Sequence, residues 1–367
     1  MATFCPSVHA EEAKWLEFSG SGFLTVAAGK IIGGTHDEAT DQGFACPCFI
    51  SDYAQGGVYE QGGWKFGPDS KLGLQGTASA ENGRYALTGQ VISRGAKDGA
   101  ANLEWLYGTV EVNGKFTLQV GRKRLPLFVY SETQDVGYTL PWIHLPPQLY
   151  GWEIVNYNGA NLVYRDQWAA WTSTLNIFGG SETARDTGYS TIYNGKDSHT
   201  DARWSDIRGA ELNLTRDWFS ARLVYIQSYT QTKIVSDGES DFSERKQQRI
   251  HGLSFSVDHG NWLGRAEFLY SDRKEDYGKD YIQLYAAGYR FGRLQPLVSY
   301  ANYREHPNAG GEPAEGHSTL SLVMRYDLTD ADAFKVQWDY WKDKTAPDYS
   351  TMHGDARILT LSYDRVF

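Results

Sequence analysis

What this 367-residue chain has little of narrows its class first. No run approaches the roughly 18 to 20 consecutive apolar residues that a spanning helix needs, which excludes a helical membrane protein. Basic charge is short: Lys+Arg number 35 against 45 Asp+Glu, for a net charge of −10. No basic domain is available, so nucleic acid is not an expected partner. There are only 3 cysteines. None forms the C-x-x-C-H that covalent haem attachment requires, and two thiols close in sequence are too few for a structural metal site. Methionine stands at 3 and proline at 11. No blade-length repeat is present, which argues against a propeller.

What is abundant is glycine, 39 residues, and aromatics, with 24 Tyr and 12 Trp. The mean hydropathy is −0.50. The dominant pattern is alternation with period two, the signature of strands with one apolar face. Phe219, Ala221, Leu223 and Tyr225 alternate with Ser220, Arg222, Val224 and Ile226. Leu320, Leu322, Met324 and Tyr326 alternate with Thr319, Ser321, Val323 and Arg325. Phe334, Val336, Trp338 and Tyr340 alternate with Lys335, Gln337 and Asp339.

Sixteen strands are predicted, at about 16–28, 70–79, 84–94, 102–112, 115–122, 153–164, 168–178, 206–215, 218–228, 249–257, 261–271, 281–291, 294–304, 317–327, 333–343 and 356–367. Their lengths approach the roughly 9–11 residues of a tilted membrane strand. Connections alternate short and long. Short ones include 80–83, Asn113 with Gly114, 165–167, Arg216 with Asp217, 258–261, Gly292 with Arg293, and 329–332; the long ones include 29–69, 123–152, 179–205 and 229–248. The fold class this predicts is all-β: a closed transmembrane antiparallel barrel with short turns at one end, long loops at the other, and both chain ends on the short-turn side. Trp15, Phe18, Tyr85, Trp168, Trp218, Trp262, Tyr289, Phe291, Phe334, Tyr363 and Phe367 cluster at the short-turn ends, as an interfacial girdle requires. A sandwich would fill both inner faces with apolar residues; here the second face of many strands is Gly, Ser, Thr, Gln, Arg and Lys, which suits a wet interior.

Val8, His9 and Ala10 fit the small-residue cleavage pattern of a secretory signal. Residues 1–10 are therefore expected to be the remnant of such a signal, with the mature barrel occupying 11–367 as one domain. In that oxidising setting Cys46 and Cys48 are candidates for a local disulfide across Pro47.

The chain ends in 358–367 with Leu359, Leu361, Tyr363 and the terminal Phe367 on one face. This resembles the C-terminal assembly signal of outer-membrane barrels. With the strand count, it makes the chain resemble Gram-negative general porins of the trimeric, sixteen-stranded type. Residues 120–126 (Val, Gly, Arg122, Lys123, Arg124, Leu, Pro), 135–138 and 146–151 are similar to the region that leads into and forms the third loop of such porins. The resemblance implies a bacterial outer-membrane location, assembly by the barrel-insertion machinery, a homotrimer, contact with outer-membrane lipid and lipopolysaccharide, and passive diffusion of small hydrophilic solutes and ions. It implies no cofactor. It also implies that a loop at about 123–152 folds inward and narrows the lumen. That loop carries Glu132 and Asp135, and four prolines to stiffen it.

Strand parity points Lys71, Arg94, Arg222, Arg265, Arg290, Arg325 and Lys335 into the lumen, together with Glu211, Glu267 and Asp339. An arginine facing lipid costs about 2–4 kcal/mol at midplane, so the wet side is their place. This basic wall is expected to face Glu132 and Asp135 across a constriction, with local pairing such as Arg265 to Glu267 as the alternative. Arg122, Lys123 and Arg124 have three open roles: one side of an anion-attracting eyelet, an anchor for the loop, or contacts to lipopolysaccharide phosphates. No catalytic constellation appears; Ser254 and Ser256 share a predicted strand with His251, but His251 and these serines lie on opposite faces. The chain is read as a non-enzyme. A solute-selective channel for anions, carboxylates or phosphate, and a structural or surface-binding barrel, are the other readings. The first loop, 29–69, with its C-P-C and aromatics, either folds over the mouth, packs on a neighbouring subunit or binds a partner.

Overall fold

The computed structural model of the protein describes residues 16–35, 43–236, 239–273, 278–307, 314–349 and 354–367. Residues 1–10 and Trp15, and with them the signal remnant and one girdle aromatic, lie outside the described residues.

Sixteen antiparallel strands form one closed sheet: β1 (Leu16–Gly34), β2 (Lys71–Ala80), β3 (Tyr85–Arg94), β4 (Ala101–Asn113), β5 (Phe116–Arg124), β6 (Asn156–Trp168), β7 (Trp171–Ala184), β8 (Ala202–Arg216), β9 (Phe219–Ser236), β10 (Lys246–His259), β11 (Trp262–Arg273), β12 (Gly278–Tyr289), β13 (Leu294–His306), β14 (Gly316–Asp327), β15 (Asp332–Asp343) and β16 (Ala356–Val366). Closure is made by β1. Its first half pairs with β2, from Leu16 opposite Ala80 to Thr25 opposite Lys71. Its second half pairs with β16, from Phe23 opposite Val366 to Gly34 opposite Ala356. A closed sheet leaves no unpaired edge, which is what the interior of a bilayer demands.

All sixteen predicted strands are present. The predicted ends were short at the long-loop side: β1 continues to Gly34 and β9 to Ser236. There the strands rise beyond the apolar band, so alternation fades while ladder bonds continue. The β6–β7 turn is also displaced. Arg165 to Gln167 stay in the ladder and the reversal falls at Ala169 and Ala170, between paired Trp168 and Trp171. Ala169 takes the left-handed backbone the tight turn needs, at φ 53°.

The outer surface is apolar. Leu72, Leu74, Leu87, Val91, Leu223, Leu322, Val336 and Leu361 are among its exposed side chains. Around the short-turn end, Phe18, Tyr85, Trp168, Trp218, Trp262, Phe291, Phe334 and Phe367 are exposed as a ring. Within the long loops, the first carries a small hairpin, Phe49–Asp52 with Gly57–Tyr59. The third holds a single helical turn, α1 (Pro147–Tyr150), and the fourth a short helix, α2 (Gly188–Asn194).

Candidate functional site: the inward loop and the open wall

The third loop, 125–155, lies inside the barrel; its bounds differ from the predicted 123–152 because Lys123 and Arg124 still pair with Tyr157 and Asn156 in the sheet. Its underside is hydrophobic. Leu125, Leu127, Leu140, Trp142, Leu149 and Ile154 pack against the inward faces of Ile226, Ile250, Ile282, Leu284, Leu297 and Val323. Where the loop covers them, these strands carry apolar side chains on both faces, as in a sheet covered on both sides, with polar inward residues such as Ser299, Glu267 and Arg325 set between them. Trp142 is fully buried, and its indole N–H donates to the Ser299 hydroxyl at 2.9 Å. The lumen is therefore not a uniformly wet tube. Over β8–β14 it is a packed core.

The basic residues expected to line an open wall mostly bind this loop instead. Arg222 donates to the carbonyls of Pro126 and Leu127 at 2.6 and 3.1 Å and pairs with Glu211 at 2.7 Å. Arg325 donates to the carbonyls of Tyr138 and Leu140. Lys335 donates to those of Gly137 and Trp142 at 2.6 and 2.8 Å, beside Asp364 at 3.0 Å. Arg265 donates to the Tyr130 hydroxyl at 3.0 Å. Glu267 accepts from the Tyr150 hydroxyl at 2.8 Å and the Val129 N–H at 3.1 Å. The suggested Arg265–Glu267 pairing is absent; each holds a different part of the loop. Arg290 pairs with Asp258 at the short-turn rim, 2.7 and 3.0 Å, away from the constriction. The basic side chains satisfy loop carbonyls because a loop crossing a lumen has backbone acceptors with no sheet partner.

Asp135 is the centre of a second anchor. Arg94 makes two bonds to it, at 3.2 and 2.9 Å, Arg124 a third, and Lys71 stands 3.8 Å away. Glu104 completes the cluster with Arg94 at 2.6 Å and Arg124 at 3.4 Å. Burial opposes the charge of Asp135, but Arg94, Arg124 and Lys71 hold its carboxyl well below the usual range. Asp135 thus faces its cations in contact rather than across a gap.

Arg122, Lys123 and Arg124 do not act as one group. Arg122 pairs with Glu182 at 2.6 Å, Arg124 joins the Asp135 anchor, and Lys123 reaches Gln119 and stands 4.8 Å over the Tyr107 ring. Successive residues on a strand point to opposite faces, and a twisting strand end turns the third away again.

The first loop folds inward over the mouth. Phe49 and Tyr59 are fully buried, and Tyr53 stacks on Tyr193 of α2 and on His317 of β14, with ring centroids at 5.8 and 6.4 Å. Gly56 sits against Gly188, where a Cβ on Gly188 would meet the Gly56 backbone nitrogen at 2.0 Å. The sulfurs of Cys46 and Cys48 are bonded to each other beside this hairpin. His144 of the third loop ties the assembly together, with one ring nitrogen 3.0 Å from Asp69 and the other 3.0 Å from Asp339.

One side remains accessible. On β4–β8 the inward residues Tyr107, Thr109, Gln119, Lys123, Asn176, Glu211 and Asn213 are half-exposed, and exposed Glu132 faces them from the loop, within electrostatic reach of Lys123, Tyr107 and Tyr157. Amides link this wall: Asn161 donates to Gln119 at 3.1 Å and Asn176 at 3.0 Å, and Asn213 to Glu211 at 3.0 Å. Below the loop tip a cavity of about 350 Å³ opens between Val136 and Phe23, Gln75 and Gln90.

No family model and no curated protein matches the chain. Solved structures do match. OmpT, an outer membrane protein of Vibrio cholerae in a trimer form, superposes with a TM-score of 0.58 at 10% identity, over 96% of this chain and 99% of that one. An anion-selective porin from Comamonas acidovorans gives 0.57 at 14%, over 96% and 100%. The outer membrane channel DcaP of Acinetobacter baumannii gives 0.58 at 10%, over 96% and 97%.

The fold is that of outer-membrane porins. As a porin-fold barrel it has the apolar band and aromatic ring that a Gram-negative outer membrane requires. Within this porin fold, Glu104, Asp69, Gln119, Asn161 and Asn176 belong to the site and were not singled out from sequence. Asn161 and Asn176 had a usable signal, since both sit at inward positions of otherwise apolar alternation. Glu104 had none: a register shift opposite Gln90 and Val91 changes the local alternation there. Among the described residues no group of three His, Cys, Asp or Glu side chains is placed to hold a metal. Ser254 bonds Glu267 inside the barrel while His251 is exposed on its outer face.

Proposed function

We propose that the protein is a passive, non-enzymatic channel of the outer membrane that passes small hydrophilic solutes and ions. The observation that carries this reading is the half-open lumen: the third loop fills the β8–β14 side with its own core yet leaves the amide-lined β4–β8 wall accessible, with Lys123 and Glu132 facing each other across it. A folded loop that packs most of its buried apolar side chains on one wall and leaves polar amides open on the other shapes a passage. The passage is near-neutral, because most of the arginines are engaged by carbonyls or carboxylates, and weak ion preference follows.

Homotrimeric assembly belongs to the same proposal. The outward face of β1–β5 presents aliphatic side chains and glycines in register, Gly76 opposite Gly20 and Gly89, with Leu74, Leu87, Leu106 and Val120 exposed around them. Such a smooth face suits packing against another barrel. Insertion through recognition of the Tyr363 and Phe367 terminus is proposed likewise.

Purified protein in a planar bilayer tests the reading. Ohmic steps with weak ion preference support it, and a correctly folded sample without conductance overturns it. The inward-wedged first loop favours one second reading, a narrow solute-selective channel, which predicts block by low concentrations of a single anion.

A further inference from the structure

The outer wall of β8–β13 carries a feature that solute passage does not use. Strand register sets five rings side by side on the lipid-facing surface: Tyr225, His251, Tyr270, Tyr281 and His306, with successive centroids 5.1, 5.9, 5.2 and 5.1 Å apart. Immediately on the long-loop side of this ladder runs a second row. Arg208 lies opposite Gln227, Gln227 opposite Arg249, Arg249 opposite Asp272, and Asp272 opposite Lys279. On β13 the two rows exchange places: His306 lies opposite Lys279 and Arg304 opposite Tyr281, so Arg304 starts level with the rings and its long side chain must snorkel upward to join the row. Arg208, Lys279 and Arg304 are exposed, and none has a carboxylate partner in contact among the described residues. Asp272 is the one acid within the row. Arg245 nearby is already paired, with Asp206 at 2.5 Å.

Height decides what meets these cations. Arg249 stands ten residues from His259 at the short-turn end of β10. At about 3.4 Å per residue and a tilt near 40°, that places it about 25 Å along the membrane normal, the full height of an apolar band. The rings then lie at the interface and the cations at the outer headgroups. Arginine and lysine at that level attract phosphate, and arginine binds it in bidentate fashion.

We propose that β8–β13 forms a docking site for a phosphorylated, acylated lipid of the outer leaflet, with Arg208, Arg249, Lys279 and Arg304 holding its phosphates and the ring ladder lying along its acyl chains. The site is one-sided, on a different part of the circumference from the smooth β1–β5 face, so both surfaces can be covered at once.

Native mass spectrometry of the detergent-solubilised full chain, titrated with bisphosphorylated lipid A, tests this. The wild type retains lipid A; the variant Arg208→Gln, Arg249→Gln, Lys279→Gln, Arg304→Gln binds at least tenfold more weakly while keeping heat-modifiable migration. Should that variant not fold, Arg208→Gln with Arg304→Gln, both fully on the surface, gives a partial loss. A control pair elsewhere on the outer face, Lys342→Gln with Arg357→Gln, leaves binding unchanged. Equal retention by wild type and variants overturns the proposal, as does an equal loss in the control. Equal protection against thermal unfolding by inorganic phosphate assigns the row to soluble anions and overturns the lipid.

Discussion

His144 of the third loop and Asp69 of the first are joined at 3.0 Å through Nδ1 in the buried interior of the mouth, and Asp339 of β15 meets the other ring nitrogen, Nε2, at 3.0 Å. One imidazole therefore fastens two loops to the barrel wall. Burial works against its charge, but Asp69 and Asp339 more than offset this and raise the pKa from 6.5 to about 10.

A raised histidine pKa stabilises the folded arrangement fully below the unfolded value and loses that contribution as pH climbs through the folded one. The fastening is thus complete below about pH 6.5 and declines toward pH 10. Proteolytic cleavage in the first loop, followed against pH, should accelerate over that window in wild type. His144→Gln should already be fast at pH 6 and should show no rise of its own in that window. A wild-type profile flat to pH 10.5 would count against the assignment.

Asp135 neutralises three cations at the tip of the third loop. Asp135→Asn leaves Arg94, Arg124 and Lys71 facing Glu104 alone. Breaking a buried ion pair from one side costs about 3 kcal/mol or more. The midpoint of heat-modifiable unfolding should fall accordingly, and the reversal potential in a salt gradient should move toward anions. Unchanged stability would show that the anchor is dispensable.

Lys123 and Glu132 set the remaining field of the passage. Glu132→Gln should shift ion preference toward anions and Lys123→Gln toward cations, each with little change in thermal stability because both groups are at least partly exposed. Reversal potentials in a tenfold salt gradient check both signs. The same substitution at Arg290, paired at the rim, should move selectivity less.

Trp142 is fully buried between loop and wall. Trp142→Ala should cost about 3–5 kcal/mol by the usual cost of emptying a large aromatic site. The freed loop should appear as added current noise in single-channel records, with the barrel itself still forming.

Phe367 closes the barrel against Gly22, donating and accepting backbone bonds at 2.9 and 2.7 Å, and its ring occupies the space a Cβ on Gly22 would need, 2.5 Å away. Gly22→Val should displace that ring and slow folding into detergent micelles. Phe367→Ala should lower the yield of membrane-inserted protein while leaving chain synthesis unchanged.

Much of this architecture is legible in one dimension. Alternation such as Leu320, Leu322, Met324 and Tyr326 needs only the two-residue period of a strand facing two solvents. The short turns and the terminal aromatics are equally local, and so the number and order of strands follow from the amino-acid order alone. What that order could not supply is who meets whom across the lumen. Arg222 and Arg325 look like pore lining on their own strands; only the folded third loop, arriving 96 and 185 residues away with unpaired carbonyls, turns them into fasteners. Ile226, Ile250 and Ile282 look anomalous on an inward face until Trp142 and Leu149 cover them. Local patterning fixes which face a side chain takes, because that depends on backbone geometry. Long-range closure decides what that face touches, because backbone acceptors and apolar surface removed from water must find partners wherever the chain brings them.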